Sequence, residues 1–490
     1  MSNLQQQAIS GVKWTTVQTF VSAITGPVLL WIKTQFLSPE EFGLISIILV
    51  VTGLLKLLES FGISQAIIQK EDVSYRESST LFFFNIIFSI LLGVILFFTA
   101  PLIAQAYDMP ALDFYLKLVI IIGLLVGPSL LFRAFLEKNL LFRQLSLIDM
   151  TGNILIFIST IVFLFLNLGV LSIILGHITG MLFTSIAITF SAFKYKVTRI
   201  QAVFKPMLMK PFISFGVFVS GKQLMTFLAS RLDELIIGYL LSPEVLGIYY
   251  FGKNMLEKIR VLITKSFGKV LFPVFSKLKG DLHRLGNAYL RISRYISFGA
   301  FPVFIGIAST AHLFVPVFFG EQWLDSVIVF QVFSVSMIFM LLTANISSSL
   351  LYSLNQPRLV FFIDVVMNSL YLGTLLLFAK NGMVAILVIY STYIIFKTIT
   401  LQVFTNRYLK QTFARYLVQF TVPFVASLLM AFAVLLFQKA LNTICDAALL
   451  FVGSFVLGIA VFTVLVYIFD RSTLADLKRA LFKGEITVKK

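Results

Sequence analysis

Two stretches of an otherwise apolar sequence are crowded with ionisable side chains. Lys222, Arg231, Asp233 and Glu234 fall in the first, and Lys253, Glu257, Lys258, Arg260 and Lys265 in the second. Lys253, Glu257 and Arg260 follow i, i+4, i+7 spacing, which puts them on one face of a helix. Six of the nine are cations and three are acids, so full internal neutralisation is not available. Each such group in the middle of a bilayer costs about 2.5–3.5 kcal/mol on insertion scales and must face water, a partner or a ligand. An excess of Lys and Arg in a water-filled, low-dielectric cavity would attract phosphate or another anion. On this reading Lys222, Arg231, Lys253 and Arg260 form a cationic anion-binding cavity, and Asp233 and Glu257 balance it. Outside these stretches, Lys56 and Glu59 stand three apart on one helical face. A local structural pair and a functional site are both open for them. Glu59, Asp233 and Glu257 are the carboxylates placed to exchange protons, and Lys56 is a secondary candidate.

The elements that must carry these groups are long apolar helices. The chain has 490 residues, is 59% hydrophobic and only 12% charged, and contains 53 Phe; a soluble domain carries about 25% charged residues. Runs of bilayer-spanning length recur near 14–36, 42–63, 81–104, 114–136, 145–167, 170–192, 212–240, 245–270, 295–316, 327–350, 359–379, 382–403, 416–437 and 446–469. They predict an all-α polytopic membrane protein with about fourteen spans. The formal charge of +17 would suggest nucleic acid in a soluble protein. Here the cations concentrate in alternate loops, which is the positive-inside bias and places both termini in the cytoplasm. The single cysteine, Cys445, excludes an intrachain disulfide. His177, His283 and His312 lie too far apart in sequence for a metal-ligand motif. The amino-terminal stretch has a weak n-region and no A-x-A site, so it is expected to remain as a first span.

An internal repeat organises the chain. LSPEEFGL (Leu37–Leu44) returns as LSPEVLGI (Leu241–Ile248), and Arg143, Asp149, Asn153 return with the same spacing as Arg358, Asp364, Asn368. Both echoes are displaced by six spans, so the halves keep one orientation and two parallel six-helix bundles are expected, with Gly43 equivalent to Gly247. The expected divisions are 1–193 (an N-lobe), 194–211 (a basic cytoplasmic linker), 212–404 (a C-lobe), 405–469 (an accessory helix pair) and 470–490 (a basic amphipathic tail). The linker and the tail both read as interfacial helices; in the tail Leu474, Leu477 and Leu481 share a face beside Lys478, Arg479 and Lys483. Asp149 and Asp364 are expected to brace against adjacent cations, and Lys33 and Arg133, near span ends, to snorkel to the interface.

No G-x-S-x-G, P-loop or H-E-x-x-H motif is present, so no enzyme is expected. No cofactor is called for either; any pumping would draw on a proton or sodium gradient or on the substrate's own.

ISGVKW near the start, SPEEFGL, FGISQAIIQK, VLFPVFSKLKGD (Val270–Asp281) and FVPVFFGEQW (Phe314–Trp323) together resemble the polysaccharide exporters of the multidrug/oligosaccharidyl-lipid/polysaccharide (MOP) flippase superfamily. The resemblance points to the Wzx-like branch holding colanic-acid and teichuronic-acid exporters. It implies a flippase of the bacterial inner membrane that moves undecaprenyl-pyrophosphate-linked oligosaccharide repeat units by alternating access. It implies two lobes around a central cavity, and partners that include the lipid-linked substrate, membrane lipids, a polysaccharide polymerase and glycosyltransferases, with no nucleic acid. One departure is visible: many relatives carry Arg where this chain has Gln35. Two other readings are an ion-coupled multidrug antiporter of the same superfamily, whose cavity should be acidic or aromatic, and a non-transporting scaffold of an envelope-synthesis complex, which has no need of charge in its spans.

Overall fold

The computed structural model describes residues 3–60 and 62–471; side chains of 3–10, 12, 215, 218, 219, 222, 229, 265–270, 272, 273 and 343–345 lie outside the description. Among the described residues every long element is a helix. In order these are α1 (Asn3–Phe36), α2 (Pro39–Ser60), α3 (Ile63–Gln69), α4 (Tyr75–Ala106), α5 (Ala111–Lys138), α6 (Phe142–Phe165), α7 (Leu171–Lys194), α8 (Lys210–Leu240) and α9 (Pro243–Leu278). There follow α10 (Leu282–Phe319), α11 (Ser326–Phe339), α12 (Asn345–Ser353), α13 (Pro357–Phe378), α14 (Met383–Leu409), α15 (Phe413–Leu417), α16 (Thr421–Leu441) and α17 (Ala447–Phe469). A π-helical turn, Met340–Ala344, joins α11 to α12.

Twelve stretches of the described residues are long and apolar enough to cross a bilayer. Helices also form over the two expected spans 212–240 and 245–270, as α8 and α9, but these two are not among the twelve. Both helices pass through residues whose side chains lie outside the description, and between them they hold the nine ionisable residues set out above. Elsewhere the molecule turns apolar side chains outward; Phe98, Phe165, Phe190 and Leu377 are all at least two-thirds exposed. A surface of that kind needs lipid around it.

The chain divides into two compact units, Met1–Gly247 and Ile248–Lys490. In the first, α6 packs on α1 and α7, and α5 packs on α2, α3, α4 and α7. The first unit also contains the stretch 194–211 and α8, because α8 lies along α2 and α3. That seam is built from small residues: a Cβ on Gly62 would meet the Gly216 Cα at 2.6 Å, and one on Gly53 would meet the Phe227 ring at 2.8 Å. In the second unit α10 is the central helix, packed on α11, α14, α16 and α17, while α13 packs on α14.

The two LSPE motifs start helices for local reasons. Ser38 Oγ accepts from the Glu41 N–H (3.2 Å) and Glu41 returns a carboxylate oxygen to the Ser38 N–H (2.9 Å), a capping box. In the second copy Val245 replaces the glutamate, and Ser242 caps the Val245 N–H alone at 3.3 Å.

Two expectations need correction. The linker is not an interfacial helix: only Pro206–Met209 forms a short 3₁₀ turn. Its backbone is instead laid across the start of α4, where Gln201 N donates to Ser79 Oγ (2.8 Å) and Lys205 N to Thr80 Oγ1 (3.2 Å). Val197 and Ile200 pack on the buried cluster beneath it. Arg133 does not simply snorkel: it forks onto Asp149 with bonds of 2.8 and 2.6 Å and reaches Glu137 at 3.2 Å. The expected tail helix falls at 472–490, outside the described residues.

Candidate functional site

Arg231 and Asp233 sit in α8, whose sequence LASRLDELIIG alternates charge with aliphatic bulk along the helix. The Arg231 Nη1 donates to Glu234 Oε1 at 2.8 Å, one turn on. Glu234 is almost wholly buried (1% exposed) and its second oxygen accepts from Ser46 Oγ of α2 at 3.1 Å. Asp233, also buried, accepts from the Glu234 backbone N–H at 2.9 Å. The arginine is partly exposed and pairs with Glu234, and a guanidinium can present more than one edge to an acceptor. Glu234 is the member of this group that the candidate set above lacks. The i, i+3 spacing to Arg231 was the available signal, since it places an acid and a base on one face. Lys222 belongs to the same helix, and its side chain lies outside the described residues.

The other members belong to the second unit. Lys253 is buried in α9 (5% exposed), with its ammonium 5.6 Å from the centre of the Tyr249 ring. Arg260 approaches Glu257 at 3.8 Å, beyond hydrogen-bond length, and its Nε is buried without a hydrogen-bond partner among the described residues. A buried guanidinium left partly unsatisfied is a group prepared for an external acceptor. Thus Arg231 and Asp233 are brought together with Glu234 in one unit, and Lys253, Glu257 and Arg260 share one helix of the other.

Glu59 is separate from both. It is buried (2% exposed) near the end of α2, just before the helix breaks at Gly62, which takes φ 63°. Its Oε1 lies 2.6 Å from where a Cβ on Gly123 of α5 would be, so the carboxylate sits directly against that glycine. Its Oε2 is buried without a hydrogen-bond partner among the described residues. Among the described residues no ion pair within 4.0 Å joins Lys56 to Glu59, though the two charges act on each other. A carboxylate in the last turn of a helix meets the negative end of the dipole, an arrangement suited to holding a cation or a proton.

The second sequence echo has a structural role, with partners other than the adjacent cations. Asp149 takes Arg133 rather than Arg143, whose guanidinium lies 5.5 Å from the Trp14 ring centre. Asp364 takes Lys397 at 2.9 Å rather than Arg358. Asn153 reaches Ser22 (3.4 Å), and Asn368 accepts from Tyr393 (2.7 Å).

These features define a polytopic helical membrane protein whose most polar helices lead its second sequence repeat. The fold is that of MOP-superfamily transporters. The solved structure of lipid II flippase MurJ in an inward closed conformation superposes with a TM-score of 0.71 at 16% identity, covering 94% of this chain and 99% of that one. An inward-facing multidrug resistance MATE transporter gives 0.55 at 16% identity, over 83% and 99%. Residues 34–328 match the family described as "Polysaccharide biosynthesis protein", and the chain belongs to that family. It is 28% identical to the teichuronic acid biosynthesis protein TuaB of Bacillus subtilis, over 74% of this chain and 75% of that protein. With the lipopolysaccharide biosynthesis protein WzxC of Escherichia coli it shares 26% identity over 68% and 67%.

Proposed function

We propose that this protein is a flippase that carries undecaprenyl-pyrophosphate-linked oligosaccharide repeat units across the bacterial inner membrane by alternating access, with both termini in the cytoplasm. The observation that carries this reading is the cationic surplus of α8 and α9, in a family whose relatives bear the names of polysaccharide biosynthesis proteins. A pyrophosphate that leaves the headgroup region loses hydration, and fixed cations offset that loss where water is scarce. In this reading Lys222, Arg231, Lys253 and Arg260 hold the pyrophosphate, and Asp233 and Glu257 balance the empty cavity. Glu59 couples the cycle to a proton or sodium gradient by changing its charge as the two states exchange. The lipid tail stays in the bilayer. A polysaccharide polymerase and glycosyltransferases are the partners this role requires.

The test is export of surface polysaccharide in a deletion strain, with membrane abundance measured alongside. Lys253→Ala and the double variant Arg231→Ala/Glu234→Gln should abolish export at normal abundance. Arg231→Lys should keep part of it, since point charge survives while bidentate geometry is lost. Full export by a variant with Ala at 222, 231, 253 and 260 and Gln at 234 would overturn the site. Loss of resistance to cationic drugs, with polysaccharide unaffected, would favour the antiporter instead.

A further inference from the structure

The outer face of the first unit is not uniformly filled. Between α5 and α7 lies a groove of about 350 Å³. Its origin is local. Pro128 interrupts α5 in mid-helix and supplies no N–H to the turn before it. Beside it Ser129 and Ser185 face each other with their hydroxyl oxygens 3.4 Å apart, and neither side chain is long enough to fill the space. Ile186 and Phe190 rise at the rim, both more than 60% exposed. The groove follows one face of α7 from Leu182 to Phe193, about 16 Å at the helical rise. That length matches one leaflet of a hydrocarbon core roughly 30 Å thick.

The groove ends in charge. Lys194, Lys196 and Arg199 are all exposed at the end of α7 and just beyond it. Glu137 and Asp149, the acids of the neighbouring helices α5 and α6 on this side, are engaged by Arg133. An apolar channel one leaflet deep, capped by cations, has the shape and the polarity of a single anionic lipid.

We propose that this groove is a binding site for an anionic phospholipid, one acyl chain lying between α5 and α7 and its phosphate held by Lys194 and Lys196. A chain seated there has protein on two sides and Ser129 and Ser185 beneath it, unlike a chain on the open helix faces. One leaflet's depth fits a phospholipid chain better than a long polyprenyl tail. The site does not depend on the transport reading.

Purified protein, delipidated and then titrated with phosphatidylglycerol or phosphatidylcholine, is analysed by native mass spectrometry. One phosphatidylglycerol should be retained, in preference to phosphatidylcholine by roughly thirtyfold for two headgroup cations. Ser185→Phe, which fills the groove, should remove the tightly held molecule, whereas Leu449→Phe on another exposed face should not. Lys194→Ala/Lys196→Ala should erase the preference for the anionic lipid. Should Ser185→Phe fail to fold, Phe190→Trp gives the same answer: brominated phosphatidylglycerol should quench it more strongly than brominated phosphatidylcholine. Equal retention in all variants, or equal quenching by both lipids, would overturn the proposal. Retention of a polyprenyl phosphate in place of phosphatidylglycerol would overturn it as well, and give the groove to a transported lipid.

Discussion

Gly43 and Gly247 hold the same place in two copies of one motif, and each rests against the other copy's proline. A Cβ on Gly43 would lie 2.1 Å from the Pro243 carbonyl oxygen, and one on Gly247 would lie 1.7 Å from the Pro39 carbonyl oxygen. The contact is reciprocal, Gly43 to Pro243 and Gly247 to Pro39, as a two-fold relation between the motifs requires. The repeated sequence is thus also a repeated contact: the start of α2 and the start of α9 need backbone-to-backbone approach, and only glycine permits it.

That approach makes the pair sensitive to a single methyl group. Gly43→Ala and Gly247→Ala should each destabilise the protein by about 1–3 kcal/mol, the usual cost of overpacking, or more because the atom struck is backbone. Gly373→Ala, with open space around it, should be neutral. Thermal unfolding of the purified variants in detergent measures the difference. Equal melting temperatures for Gly43→Ala and Gly373→Ala would remove the contact from the account.

Arg231 serves two masters, and the two can be separated. Removing its guanidinium takes a charged partner from the buried Glu234 carboxylate, which also accepts from Ser46. Arg231→Ala alone should therefore lower membrane abundance, by a stability loss of about 1–3 kcal/mol. Adding Glu234→Gln should restore abundance, because the buried charge is gone, without restoring export. If the double variant recovers both, the arginine's role is confined to balancing Glu234.

Asp281 caps α10, accepting from the backbone N–H groups of His283 and Arg284, both at 3.0 Å. The Arg284 N–H bond, aided by that residue's charge, holds the carboxyl below its ordinary value. A lowered folded-state value means the cap's contribution is present above the unfolded pKa and fades as pH falls through the folded one. Hydrogen exchange at the 283–285 amides, corrected for intrinsic rates, should accelerate below the usual carboxylate range. Asp281→Asn should cap at every pH, and Asp281→Ala at none. A wild-type protection factor that ignores pH would contradict this.

Much of the molecule was legible in the sequence because its causes are local. Apolar runs of spanning length, a serine before a proline at a helix start, and an acid three residues from a base each act within one helix. Those signals placed the helices, the repeat and the charged character of α8 and α9. They also carried the resemblance to polysaccharide exporters, which family membership bears out.

Partner choice was a different matter. Asp149 has Arg143 six residues away yet binds Arg133 across a helix interface, and Asp364 ignores Arg358 for Lys397. The basic stretch after α7 had the composition of an interfacial helix, but hydroxyls at Ser79 and Thr80 hold its backbone extended. The groove between α5 and α7 depends on Pro128 and two serines that are far apart in the chain. Sequence periodicity decides which face of a helix is apolar or charged; which helix that face meets is decided by shape, where a glycine, a serine or a proline leaves room for one neighbour and not another.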